Sequence, residues 1–136
     1  MTFNSTDTPP ADLLRAIEEF NRENWFSCHE ILEALWREEV GEIRDFYQGL
    51  IKIAAALHHW RNGNYVGSIR LLDGGSSLLR QVRPTCQGAS LLPFISAVDT
   101  LRKTLSDLGP ERMHELPHDL LPTLQISGSG RKKPEA

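Results

Sequence analysis

The run from Phe46 to Trp60 sets the architecture of this chain. Phe46, Leu50, Ile53, Ala54, Leu57 and Trp60 recur at helical spacing, and Tyr47, Ile51 and Ala55 widen the apolar arc past half of the circumference. Only a strip of Asp45, Gly49, Lys52, Ala56 and His59 is left for solvent. A helix apolar over so wide an arc must be covered on several sides, which places it at the centre of its bundle. The spacing predicts this helix over about Glu42 to Asn62.

The flanking sequence has the same period. Thr8 reads as an N-cap with Pro9 at the first helical position, opening a helix to about Glu23 with Leu13, Leu14, Ile17 and Phe20 as its stripe. Trp25 to about Glu39 forms the next helix, ended by Gly41. Gly63-Asn64 is a stop followed by a start, glycine taking the left-handed position and asparagine the next cap. A helix from about Tyr65 to Val82 follows, with Tyr65, Ile69, Leu72 and Leu79 aligned. Gly74-Gly75 interrupts it at roughly 1 kcal/mol per glycine, so either a neighbour approaches closely or the helix breaks. Arg83 to Ser90 reads as a loop, and Leu91 to Leu108 as a fifth helix closed by Gly109-Pro110. Pro117 and Pro122 make the remainder an extended or briefly helical strap. With no strand-period alternation in competition, the expectation is an all-α bundle of about five helices. One domain should span residues 1–126, with 127–136 as a disordered tail.

Composition excludes several classes. The net charge is −3, and the last ten residues carry Arg131, Lys132 and Lys133 against Glu135, leaving −5 on the body. That balance argues against a nucleic-acid-binding surface. Cys28 and Cys86 are too few and too far apart for a disulfide framework or a thiolate zinc site, so reduced thiols in a cytoplasmic protein are expected. Met1 to Pro10 has neither the basic start nor the apolar run of a secretory leader. Leu50 to Leu57, interrupted by Lys52, is too short to span a bilayer.

Against this background His29 and Glu33 stand out. On a helical wheel they fall one turn apart, inside the apolar arc of Trp25 to Trp36, between Trp36 and Phe26. Polar groups on a core face need partners. The short Gly-containing turn after this helix predicts antiparallel packing on its successor, which brings His58 toward His29 and Arg44 toward Glu33 or Arg37. The expectation is a buried site of His29, Glu33 and His58, with Arg44 or Glu30 at its margin.

Three roles follow for such a site. Two imidazoles and a carboxylate suit a divalent transition metal, with His29, Glu33 and His58 as ligands. The His-Glu-x-x-His zinc motif is incomplete, however, since Glu33 stands where its second histidine belongs. A sheltered Glu–His pair also suits proton transfer, with His29, Glu30, Glu33 and His58 as candidate catalytic residues. The third role is structural: a satisfied hydrogen-bond network fixing helix register, whose disruption would cost on the order of 3–5 kcal/mol.

The assembled motifs resemble a bacterial and archaeal family known only as domain of unknown function 309. The resemblance rests on Phe20-Asn21, on Cys28 to Trp36, on Arg44 to Ile51 with Ala54 to His58, and on Gly63 to Gly67. It implies a compact multihelical domain and supplies no activity. Its hallmarks map to His29, Glu30, Glu33, Gln48, Gly49 and His58 or His59, while Gly67-Ser68 and Gly74-Gly75 depart from its pattern. Taken together, the sequence favours a non-catalytic interaction module or homodimer. The alternative is a small metal-dependent or acid–base hydrolase, distinguished by an accessible cleft at the cluster.

Overall fold

The computed structural model describes residues 8–126. Among them, five α-helices follow one another: α1 (Ala11–Asn21), α2 (Trp25–Arg37), α3 (Gly41–Arg61), α4 (Tyr65–Arg80) and α5 (Leu91–Leu108). The all-α expectation holds. The tail expected over 127–136 lies outside the described residues.

Helix α3 is central. It packs against α2 on one side and α4 on the other, α1 covers α2, and α5 covers α4. Phe46, Leu50, Ile53, Ala54 and Leu57 of α3 are all buried. They meet Leu13, Ile17 and Phe20 of α1, Trp25 and Leu32 of α2, Leu72 and Leu79 of α4, and Phe94, Val98, Leu101 and Leu105 of α5 in one apolar cluster. Arg44 near the start of α3 lies over Trp36 near the end of α2, so these two helices run antiparallel as expected.

The solvent strip read for α3 needs correction. Gly49 and Ala56 are buried, because α4 lies directly against them. The contact is made of backbone. A Cβ added at Gly49 would lie 2.6 Å from Leu79 Cδ2 and 3.3 Å from the Gly75 carbonyl oxygen. One added at Gly75 would lie 2.7 Å from Ile53 Cδ1 and 2.9 Å from the Gly49 carbonyl oxygen. This resolves the Gly74-Gly75 question: α4 is continuous, and Gly75 is there for close approach. At Gly74 an added Cβ would meet Lys52 Cδ only at 3.4 Å, an ordinary contact.

The ends differ in detail. Thr8 does not cap α1; Pro10, in extended conformation, occupies that position, and its carbonyl accepts from Leu14 N at 3.1 Å. Gly41, expected to end α2, instead opens α3 with φ +69°. Asn64 does cap α4, its side chain accepting from Gly67 N at 2.9 Å after Gly63 at φ +82°. The loop after α4 contains a feature the sequence reading missed, an antiparallel hairpin of β1 (Thr85–Cys86) and β2 (Ala89–Ser90). Gln87 and Gly88 turn it with φ values of +50° and +83°, the double positive φ of a two-residue hairpin. Two-residue strands are too short to show alternation in sequence. The buried Gln87 accepts a hydrogen bond from Tyr47 at 2.5 Å, tying the hairpin to α3.

The C-terminal strap makes two short 3-10 turns, Met113–Glu115 and His118–Leu120, then runs extended. It is held by several polar contacts. Trp60 Nε1 donates to the Met113 carbonyl at 2.8 Å. Asn21 clamps Leu124, donating to its carbonyl at 3.0 Å and accepting from its N–H at 2.9 Å. Ser90 N donates to the Gln125 carbonyl at 3.1 Å.

Two expected outcomes follow from this packing. Gly75→Ala should destabilise the fold by about 1–3 kcal/mol, since backbone and Ile53 must both move. Gly74→Ala should be neutral or stabilising by up to about 1 kcal/mol; urea denaturation of both variants measures the contrast. The second concerns pH. Desolvation, helped by Glu19, pushes the Cys28 thiol up to about 12 from an ordinary 9.0. Desolvation, with Glu42 adding and Arg83 opposing, pushes Cys86 up to about 12 as well. Burial, aided by Glu39, moves the Tyr47 hydroxyl upward against its bond to Gln87. Acids raised in the folded state contribute stability that is full below the unfolded value and is lost as pH climbs through the folded one. The urea midpoint should therefore hold to about pH 9 and fall steadily toward about pH 12; a flat midpoint over that window would contradict the burial of these groups.

Candidate functional site

The antiparallel α2–α3 pair leaves a groove between the two helices, bordered at one end by Leu71 of α4. Two adjoining pockets form it. The first, of about 160 Å³, is lined by Trp25, Phe26, His29, Ala55, His58 and His59. The second, of about 230 Å³, is lined by His29, Glu33, Trp36, Gln48, Ile51, Lys52, Ala55 and Leu71. His29 on one wall and Ala55 on the other belong to both. The α3 residues fall at helical spacing, Gln48, Ile51, Lys52, Ala55, His58 and His59, which makes them one stripe.

His29 is the hinge of the groove. It is half-buried, and its Nδ1 is fully buried without a protein hydrogen bond among the described residues. The Phe26 ring stacks on it, with centroids 6.4 Å apart and an interplanar angle of 13°. Phe26 also lies 5.6 Å from the His58 ring, so the two histidines flank one aromatic side chain. Asn62 Nδ2 donates to His58 Nε2 at 3.1 Å, and Asn64 Nδ2 to His59 Nδ1 at 3.3 Å. These amides engage one lone pair on each imidazole.

The buried His/Glu cluster is not present. Glu33 is 42% exposed and pairs with Arg37 at 3.3 Å, one turn along its own helix. Glu30 is exposed. Arg44 stacks over Trp36 at 4.1 Å rather than joining a carboxylate. His29 and His58 do share a pocket, as antiparallel packing predicts, but Glu33 lines the next one. Among the described residues no group of three or more His, Cys, Asp or Glu side chains converges as a metal-holding set. The reason is geometric: of the wheel neighbours taken as core, Phe26 is 56% exposed and Trp36 only partly buried. A wheel gives the angle of a side chain, whereas coverage depends on which helix lies opposite.

Sequence reasoning missed Phe26, Lys52 and Ala55 as groove residues. The signal was there in the stripe from Gln48 to His59, where Lys52 and Ala55 stand about one turn apart. It was obscured by assigning Lys52 to a solvent strip and Ala55 to the core.

The molecule is thus an all-α multihelical bundle with a groove along its second and third helices, and among the described residues no helix is long and apolar enough to cross a membrane. Residues 13–71, spanning α1 to mid-α4 and all of the groove, match the family described as Domain of unknown function (DUF309), which bears out the resemblance read from the motifs. The chain is also 34% identical over 73 residues to the uncharacterized protein YpuF of Bacillus subtilis (strain 168), a stretch covering 53% of this chain and 42% of that protein. The chain thus matches less than half the length of this curated relative. No solved structure matches it significantly.

An exposed i,i+4 ion pair contributes under about 1 kcal/mol. Glu33→Gln should accordingly change the unfolding free energy by less than that, in place of the several kcal/mol expected of a buried network. Chemical denaturation of the variant checks this, and a loss above about 3 kcal/mol would restore the buried cluster.

Proposed function

We propose that this chain is a non-catalytic binding module whose recognition surface is the α2–α3 groove. The observation that carries the reading is the make-up of the groove: two pockets joined at His29 and Ala55, with aromatic walls and polar groups at the rim. Concave, largely apolar sites with a few placed polar groups are the usual form of a binding site. The hydrolase alternative asked for an accessible cleft at the cluster, which the groove supplies, but also for a carboxylate against the imidazoles. Glu33 is turned to Arg37 instead, so the binding reading is the better supported. The two free, buried thiols agree with a reducing, cytoplasmic setting for the module.

The floor of the groove provides the test. Ala55→Phe fills both pockets from a half-buried position without touching the α3–α4 contact. In a two-dimensional amide NMR screen of small apolar and amphipathic fragments, hits should shift His29, Ile51, Ala55 and neighbouring signals. Ala55→Phe, folded by its own spectrum, should abolish those shifts. Hits that map elsewhere would overturn the reading, as would substrate turnover by the wild-type chain that His29→Ala removes.

A further inference from the structure

The charges around the groove are unequal, and the inequality points to a ligand. At the end of the second pocket Lys52 is half-buried, its stem packed along Gly74, and among the described residues its ammonium has no ion pair or hydrogen bond. Arg44, over Trp36, adds a second cation to that end. The carboxylate there, Glu33, is already matched by Arg37. Donors line the same pocket from both walls: the Lys52 ammonium and the Gln48 amide on α3, and on α2 the indole of Trp36, whose Nε1 has no protein acceptor among the described residues. The first pocket is different in kind, its walls made by Trp25, Phe26, Ala55 and the faces of His58 and His59. Arg61 lies over Trp25 at that end, but it is held by the Glu23 carbonyl at 2.7 Å.

From this asymmetry we infer that the groove binds a small apolar monocarboxylic acid, its body between Phe26 and Ala55 and its carboxylate on Lys52 and Gln48. The inference rests on the groove being a binding site and names the ligand class it takes. Length agrees: Lys52 and His59 are seven residues apart on α3, about 10 Å at the rise of an α-helix, so an acid of roughly that length spans both pockets. A half-buried cation with no partner is where a carboxylate gains most, because its charge-assisted hydrogen bonds form partly shielded from water. The aromatic walls of the first pocket disfavour dicarboxylates, whose second charge would lie against Phe26 and Ala55.

The experiment is an amide NMR titration of the full chain with 4-phenylbutyrate and with the neutral 4-phenylbutyramide. The acid should bind about tenfold more tightly than the amide, the difference one charge-assisted contact makes. In both titrations the shifts should centre on His29, Lys52 and Ala55. Lys52→Met should weaken the acid to the level of the amide while leaving the amide unchanged, and Lys52→Arg should keep the preference for the acid. Thermal melts of both variants verify that they are folded. Equal binding of acid and amide, or an acid affinity indifferent to Lys52→Met, would overturn carboxylate recognition while leaving the groove itself as a site. No shifts at the groove with either probe would also overturn it, and the Ala55→Phe screen then judges the groove separately.

Discussion

Helices α3 and α4 meet backbone to backbone at Gly49 and Gly75, and the rest of the molecule is arranged around that contact. Neither position has room for a methyl group, because Leu79, Ile53 and the carbonyl oxygens fill the space. Drawing α4 this close covers what would otherwise be the polar side of α3, so the central helix is enclosed on that side by backbone rather than by large side chains. The flank that faces α2 contrasts with it. There α2 stands off α3 on bulkier residues, Trp25, Phe26 and Trp36 facing Ala55 and Ile51, and a groove stays open between them. The tight seam and the open one belong to the same helix.

Side-chain hydrogen bonds tie the helices to the loop and the strap. Asn21 grips both backbone groups of Leu124, Trp60 grips Met113, and Tyr47 grips the turn of the hairpin. Each joins a helix to a segment far away in sequence that has little regular structure of its own. Such segments cannot satisfy their backbone groups internally, so side chains of the helices complete them. Phe20-Asn21, one of the motifs on which the resemblance was read, has a physical explanation in this clamp: the phenylalanine enters the core and the asparagine anchors the strap over it.

The groove contrasts with both. His29 and Ala55 join its two halves, and the halves differ in character: aromatic around Phe26 and His58, hydrogen-bond donating around Lys52, Gln48 and Trp36. The ion pair of Glu33 with Arg37 matches the acid at that end, while Lys52 and Arg44 stay without a carboxylate partner among the described residues.

Much of this was written in local spacing. The period of Phe46, Leu50, Ile53 and Leu57, the Gly63-Asn64 stop and cap, and the stripe of Phe94, Val98, Leu101 and Leu105 determined the helices, the antiparallel α2–α3 pairing and the approach of His58 to His29, because backbone period and caps depend on residues a few positions apart. The coverage of each face did not follow. Gly49 and Ala56 are buried within the bundle, while Phe26 stays exposed and Glu33 half-exposed where α2 and α3 leave the groove between them. Those outcomes depend on how closely two helices approach, and that distance is set by side-chain volumes contributed from segments distant in the chain. The sequence by itself therefore determined which residues share a face; only the tertiary structure decided which faces meet another helix and which meet water.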